Sequence, residues 1–181
     1  MLTQLEELTL LVGDLAELAR GGQPQVTTEV FRLDAVVDEA VSVATTHGRS
    51  RSVTFEAAVT ETWVAASRAR VERAVGNLLD NALKWSPDGG VVEVSCHVGE
   101  ITVRDHGPGI SASDLDHIFD RFYRAPAARG RPGSGLGLAI VAQVAKDERG
   151  SVSAEHAVGG GALFRFILPT VSPHPTERPS D

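Results

Sequence analysis

The sequence predicts an α+β fold, on three observations. Residues 67–85 carry Val71, Ala74, Val75, Leu78, Leu79, Ala82 and Leu83 at helical spacing. Residues 91–104 alternate apolar and polar side chains, with Val92, Val94, Cys96 and Val98 on one face, as a strand hairpin does. Residues 133–141, Gly-Ser-Gly-Leu-Gly-Leu-Ala-Ile-Val, place a glycine-rich turn before an apolar helix that Val144 extends. Unpaired N–H groups and the positive end of the helix dipole make such a turn an anion site. Taken alone, it is equally a plain turn and helix cap.

Composition sets limits. Hydrophobic content of 42% and charged content of 23% are those of a soluble globular protein, and 181 residues suffice for one core plus an appendage. The net charge of −7 gives a nucleic-acid role no electrostatic support. Cys96 is the only cysteine, which excludes an internal disulfide and a Cys-based zinc site. In an apolar strand it reads as a small buried hydrophobe rather than a reactive thiol. No apolar run approaches the ~20 residues that span a bilayer, and no signal peptide is visible, so a cytoplasmic location is expected.

In chain order, residues 2–20 read as a helix, with Leu5, Leu8, Val12, Leu15 and Ala19 on a stripe that Leu11 and Leu18 widen. No capping residue precedes the pattern. The helix either packs on its own domain or forms one strand of a bundle completed by a second chain. Gly21, Gly22 and Pro24 end it in a hinge. Residues 26–33 read as extended. Asp34 is expected to cap a helix to about Thr46, with Val36, Val37, Ala40, Val41 and Ala44 inward. Strands follow at 53–59 and 62–66, and Ser67 caps the periodic helix to Trp85.

Pro87-Asp88-Gly89-Gly90 is a turn leading into the hairpin of 91–98 and 100–104. Residues 105–110 form an irregular loop, and Ser111 or Ser113 caps a short helix through Phe119. Residues 120–134 lack a period and are rich in Arg, Ala, Pro and Gly, which predicts a mobile loop. The helix after Gly135 ends near Gly150, and strands 151–157 and 162–168 meet across Gly159-Gly160-Gly161. Four prolines from Pro169 onward predict a disordered tail.

Four stretches carry chemistry. Asn77, Asn81 and Lys84 share one face of a helix whose opposite face is apolar. Helix interiors disfavour Asn, so the pair reads either as a solvated face or as the lining of a cleft. An Asn carbonyl oxygen is a neutral hard ligand suited to Mg²⁺ held mainly by phosphates and waters, and Lys84 can neutralise phosphate. Asp105 stands where an apolar strand ends. An ionised carboxylate there can accept from an exocyclic amine such as that of adenine, and Gly107 and Gly109 leave room for a flat ring. Phe119, Phe122 and Tyr123 are followed by Arg124, Arg129 and Arg131, either surface cations or the charge of a phosphate lid. The turn at 133–137 comes last.

In this order, the four stretches resemble the ATP-binding catalytic domain of sensor histidine kinases, within the gyrase, Hsp90, histidine kinase and MutL superfamily. Asn77-Leu-Leu-Asp-Asn81-Ala-Leu-Lys84 is similar to the N box, and Asp105-His-Gly-Pro-Gly109 to the first glycine box. Phe119-Asp-Arg-Phe-Tyr123 is similar to the F box, and Gly133-Ser-Gly-Leu-Gly137 to the second glycine box. The match covers residues 26–170, and residues 1–22 resemble the end of a dimerisation helix and its hinge, leaving 171–181 as the tail. Lys84-Trp85-Ser86-Pro87 is similar to the wording of membrane-bound actinobacterial kinases.

The resemblance implies an α+β two-layer sandwich, the Bergerat ATP-binding fold. Its mixed, mostly antiparallel sheet is covered on one face by three helices and preceded by a partial bundle helix. It implies ATP and Mg²⁺, with Asp105 on adenine, Asn77 and Asn81 on the metal, Trp85 bordering the base, Lys84 and a lid arginine on phosphates, and Arg124 among the ATP-binding residues. Gly107, Gly109, Ile110, Phe122 and Tyr123 complete the implied site, with Gly133, Ser134, Gly135, Leu136 and Gly137 closing over the phosphates. Implied partners are a phosphoacceptor histidine domain, a response regulator and a second protomer, on the cytoplasmic side of an inner-membrane sensor.

Two departures sharpen this. ATP-hydrolysing members carry a Glu where this chain has Asn77, and an amide cannot activate water as a base. That favours transfer to histidine over the alternatives, a superfamily ATPase or an anti-sigma-type serine kinase. The six histidines, 47, 97, 106, 117, 156 and 174, all lack the His-Glu-Leu-Arg-Thr-Pro-like context of a phosphoacceptor, so the acceptor is expected outside this chain.

Overall fold

The computed structural model describes residues 27–128 and 133–172. The expected helix of 2–20, its hinge, Arg129, Arg131 and residues 173–181 lie outside the described residues.

Strand β1 (Glu29–Arg32) leads directly into helix α1 (Leu33–Gly48), and strands β2 (Thr54–Val59) and β3 (Trp63–Ala66) follow. Helix α2 (Arg68–Trp85) precedes the hairpin of β4 (Val91–His97) and β5 (Glu100–Arg104). A short helix, α3 (Ala112–Leu115), then helix α4 (Gly137–Asp147) and strands β6 (Ser151–His156) and β7 (Ala162–Ile167) complete the chain.

Five strands form a sheet of order β2-β4-β5-β7-β6, with β2 parallel to β4 and the other pairs antiparallel. Strand alternation makes its two faces different. Val94 pairs with Val103, Cys96 with Ile101, and Val103 with Phe164, and all of these are buried. The intervening residues are polar. Ser95 meets Thr102 through hydroxyls 2.6 Å apart, and Arg165 bridges Glu100 and Glu155 at 3.4 and 3.2 Å. The apolar face requires a cover, and α1, α2 and α4 provide it, with α2 packed against both of the others. Among the described residues, no helix is long and apolar enough to cross a membrane.

Strands β1 and β3 pair antiparallel in a separate two-stranded sheet. The tail does not leave the domain at Pro169: Thr170 bridges to Val64, and the Val171 N–H donates to the Trp63 carbonyl at 2.9 Å. The edge of β3 thus supplies backbone partners for residues 170 and 171.

Two caps differ from expectation. Asp34 is not the N-cap of α1. Arg32 holds that position, and Asp34 is buried in the first turn. Asp34 Oδ1 accepts the Thr62 N–H at 3.1 Å and its carboxylate pairs with Arg32, fastening the helix start to the approach of β3. Ser67 does precede α2, but its side chain makes no capping hydrogen bond. At the far end of α2, Arg51 donates to the carbonyls of Leu83 at 2.6 Å and Ser86 at 2.5 Å, and to Asp88 at 2.8 Å. The helix end that carries Lys84 and Trp85 thus has its orphan carbonyls satisfied by a residue from before β2.

Candidate nucleotide site

The apolar stripe of α2 (Val71, Ala74, Val75, Leu78, Leu79 and Ala82) is buried, which turns Asn81 and Lys84 toward the space beside the sheet and Asn77 toward the start of α4. There a cavity of about 490 Å³ opens between the end of α2, the loop after β5, the segment after α3 and the start of α4. Asn81, Lys84, Trp85, Asp105, Gly109 and Ile110 line it on one side. Tyr123, Arg124 and Gly135 line it on the other.

Asp105 sits at the back of this cavity and is 1% exposed. Its Oδ1 accepts the Gly107 N–H at 2.9 Å and the Ala162 N–H at 3.2 Å. Its Oδ2 is buried and has no hydrogen-bond partner among the described residues. Burial pushes its pKa above the usual carboxylate range, while the two N–H donors pull it back. A buried acceptor without a donor is costly, so this oxygen can accept a donor that the described residues do not supply.

The glycines around it are also constrained by neighbouring protein atoms. A Cβ on Gly107 would lie 2.5 Å from the Trp85 carbonyl oxygen. Gly109 has φ of +77°, and a Cβ there would lie 2.2 Å from Nδ1 of His156.

Lys84 Nζ lies 2.7 Å from where a Cβ on Gly133 would stand, and 6.0 Å from the centroid of the Trp85 ring. Asn77 is outside the cavity wall. Its Oδ1 faces Gly137, 3.5 Å from the position of a Cβ there, and its Nδ2 is buried with no partner among the described residues. Ser134 Oγ accepts the Leu136 N–H at 3.1 Å, which folds the turn back on itself. Leu136 itself is 0% exposed, so its side chain belongs to the core. Phe122 is 59% exposed and is not among the residues that line the cavity, whereas Phe119 packs on the core. Within the expected mobile loop, Pro126–Ala128 form a 3-10 turn, and Arg124 donates to the Ala128 carbonyl at 2.7 Å.

Several lining residues carried no motif: Asp114, Ile118, Leu138, His156, Ala162 and Phe164. They come from α3, the turn after it, α4, β6 and β7, and only the tertiary fold brings them together.

The family model described as "Histidine kinase-, DNA gyrase B-, and HSP90-like ATPase" matches residues 66–172. The chain belongs to this family. It is 44% identical over 179 residues to the signal transduction histidine-protein kinase/phosphatase MprB of Mycolicibacterium paratuberculosis, covering 93% of this chain and 34% of the relative. It therefore spans about a third of the length of the curated relatives it matches. Among solved structures it is similar to a mycobacterial sensor histidine kinase MprB, with a TM-score of 0.72 and 35% identity over 78% of this chain and 98% of the other. It is also similar to the ATP binding domain of PrrB from Mycobacterium tuberculosis, with a TM-score of 0.63 and 26% identity over 80% of this chain and 98% of the other. Within the ATPase family it is a histidine-kinase catalytic, ATP-binding domain of the MprB-like kind.

Proposed function

We propose that this domain binds Mg-ATP in the 490 Å³ cavity and passes the γ-phosphoryl group to a histidine on another domain. The observation that carries the reading is Asp105 Oδ2, a buried acceptor with no donor of its own, in the wall of a cavity that also meets a glycine turn. The exocyclic amine of adenine supplies that donor, whereas the carbonyl of guanine would face the carboxylate acceptor to acceptor.

The residues at the other end suit phosphates. Lys84 supplies a cation beside Gly133, and the N-terminus of α4 presents unpaired N–H groups. The described residues include no cluster of three acidic, His or Cys side chains that could cage a metal. A divalent ion here takes most of its shell from phosphates and waters, with Asn81 and Asn77 adding neutral amide oxygens, a donor set that fits Mg²⁺. When bound, Mg²⁺ supplies charge neutralisation to the β- and γ-phosphates. In transfer, the bond between the γ-phosphorus and its bridging oxygen breaks, a bond to an imidazole nitrogen forms, and ADP leaves. The protein's part is positioning and charge. Asn77 cannot act as a base toward water, which favours a histidine acceptor over hydrolysis.

The acceptor is supplied from outside the folded domain. His156 lines the cavity, but beside Gly109 at the Asp105 end rather than beside Lys84 and the glycine turn. Residues 1–22 as the end of a dimerisation helix, residues 26–170 as the catalytic unit, a response regulator as the next acceptor, a homodimer as the parent assembly and a membrane-anchored parent with this domain in the cytoplasm belong to the same reading. The MprB likeness supports it. Radiolabelled ATP, this chain and a separate dimerisation domain carrying the acceptor histidine should give acid-labile phosphohistidine on the acceptor. Label on this chain, or free phosphate alone, would replace this reading with self-modification or hydrolysis.

A further inference from the structure

Asp114 and Tyr123 both line the cavity, and they are joined. The Tyr123 hydroxyl donates to Asp114 Oδ1 at 2.6 Å, and Ser111 Oγ donates to Asp114 Oδ2 at 2.7 Å. Both carboxylate oxygens are therefore engaged, one by the residue that precedes α3 and one by the aromatic wall of the cavity. Hydrogen bonds from Tyr123 and then Ser111 hold the Asp114 pKa below the usual carboxylate range, and the bond to Asp114 raises that of Tyr123. The Tyr123 ring also lies tilted against His117, with centroids 5.5 Å apart.

The backbone beside this pair is constrained from a second direction. The Phe122 N–H donates to the Gly135 carbonyl at 3.0 Å. Gly135 has φ of +75°, and a Cβ on it would lie 2.8 Å from both the Phe122 carbonyl carbon and the Tyr123 carbonyl oxygen. Phe122 itself is left-handed, at φ of +63°, a conformation that bulky residues avoid unless their surroundings impose it. The chain at Tyr123 and the chain at Gly135 are thus pressed together, and Asp114 ties that junction to α3.

We propose that Asp114 is a positioning residue for the nucleotide: it fixes the Tyr123 ring in the cavity wall, so the ligand meets a preformed surface there. This rests on the ATP-binding reading. A tyrosine free to rotate out would have to be ordered by each binding event, and that cost would appear as lost affinity. The Asp114 carboxylate acts through the tyrosine and needs no contact with the nucleotide.

Tyr123 is the only tyrosine of the 181 residues, so phenolate absorbance reads it alone. In the full chain, Asp114→Ala should move the Tyr123 titration down toward the ordinary phenol range. Asp114→Asn, which keeps an acceptor oxygen, should retain much of the wild-type position. Asp114→Ala and Tyr123→Phe should each weaken Mg-ATP binding about five- to tenfold, and the double variant no further, because one bond has been removed twice. Tyr123→Phe keeps the ring and its packing, so it tests the bond without emptying the wall. An unmoved titration in Asp114→Ala would overturn the latch. A moved titration with unchanged affinity, or losses that multiply in the double variant, would overturn the positioning role. Wild-type protein that fails to bind Mg-ATP would instead overturn the nucleotide reading, and the titration would still report on the bond.

Discussion

The carboxylate of Asp105 accepts the backbone N–H of Ala162, 57 positions along the chain, at 3.2 Å. The Asp105 N–H in turn donates to the Ala162 carbonyl at 3.0 Å. This reciprocal pairing extends the β5–β7 ladder by one residue and leaves the second carboxylate oxygen of a cavity-lining residue without a partner among the described residues. Asp105 is therefore the last rung of the sheet and, in the proposed function, the contact offered to adenine.

That dual role separates stability from binding. The pKa of Asp105 is raised by burial, so the folded state holds its proton more tightly than the unfolded state does. Stability from this group is present below the unfolded pKa and is lost as pH rises through the folded pKa. Asp105→Asn removes the buried charge and keeps an oxygen for the two N–H donors. It should raise the melting temperature of the nucleotide-free protein at pH 7 by a few degrees, and by less near pH 3. Its amide then faces the adenine amine donor to donor, so ATP affinity should fall by roughly 1.5–3 kcal/mol. Calorimetry showing unchanged affinity would remove Asp105 from base recognition.

Asp34 has the opposite sign. Burial pushes its pKa up, but the bonds from Arg32 and the Thr62 N–H outweigh that and leave it lowered. Its stabilisation is present above the unfolded carboxylate pKa and is lost as pH falls through the lower folded value. Asp34→Ala strands the buried Thr62 N–H and should cost about 2 kcal/mol in urea unfolding at pH 7. The difference from wild type should shrink in acid, and a difference independent of pH would show that packing alone is responsible.

Arg51 should matter to a helix it does not belong to. Its bonds to the Leu83 and Ser86 carbonyls hold the last turn of α2, which carries Lys84 and Trp85. Arg51→Met should destabilise the fold by about 1–2 kcal/mol and weaken ATP binding as well. Normal affinity in the variant would show that the turn holds its shape without the cap.

Gly76 has no such constraint. It lies within α2, and a Cβ added there would meet nothing within 4 Å. Gly76→Ala should therefore stabilise the protein by roughly 0.5–1 kcal/mol through helix propensity alone, with ATP affinity unaltered. A loss of stability on thermal melting would show that the groove beside Leu79 and Ala40 is filled in solution.

By itself, the sequence determined the elements with strong local period and the residues that stand on them. Helix α2 was legible because its buried positions recur every three or four residues, and the same period placed Asn77, Asn81 and Lys84 on the opposite side. The β4–β5 hairpin was legible from strict alternation, and Asp105 from its place at the end of a strand. Only the tertiary structure showed what crowds Gly109, because a Cβ there would meet His156 and the Gly161 carbonyl oxygen, both from far along the chain. It alone moved Asp34 from a cap to a buried tie with Thr62, and held Val171 against Trp63. It alone put Asp114 in the wall, because the partner that gives that carboxylate its meaning stands nine residues away on a segment without periodicity. Local period reports which side of an element is buried. It carries no information about which distant strand or loop arrives to bury it, and that depends on the order in which β2, β4, β5, β7 and β6 lie side by side.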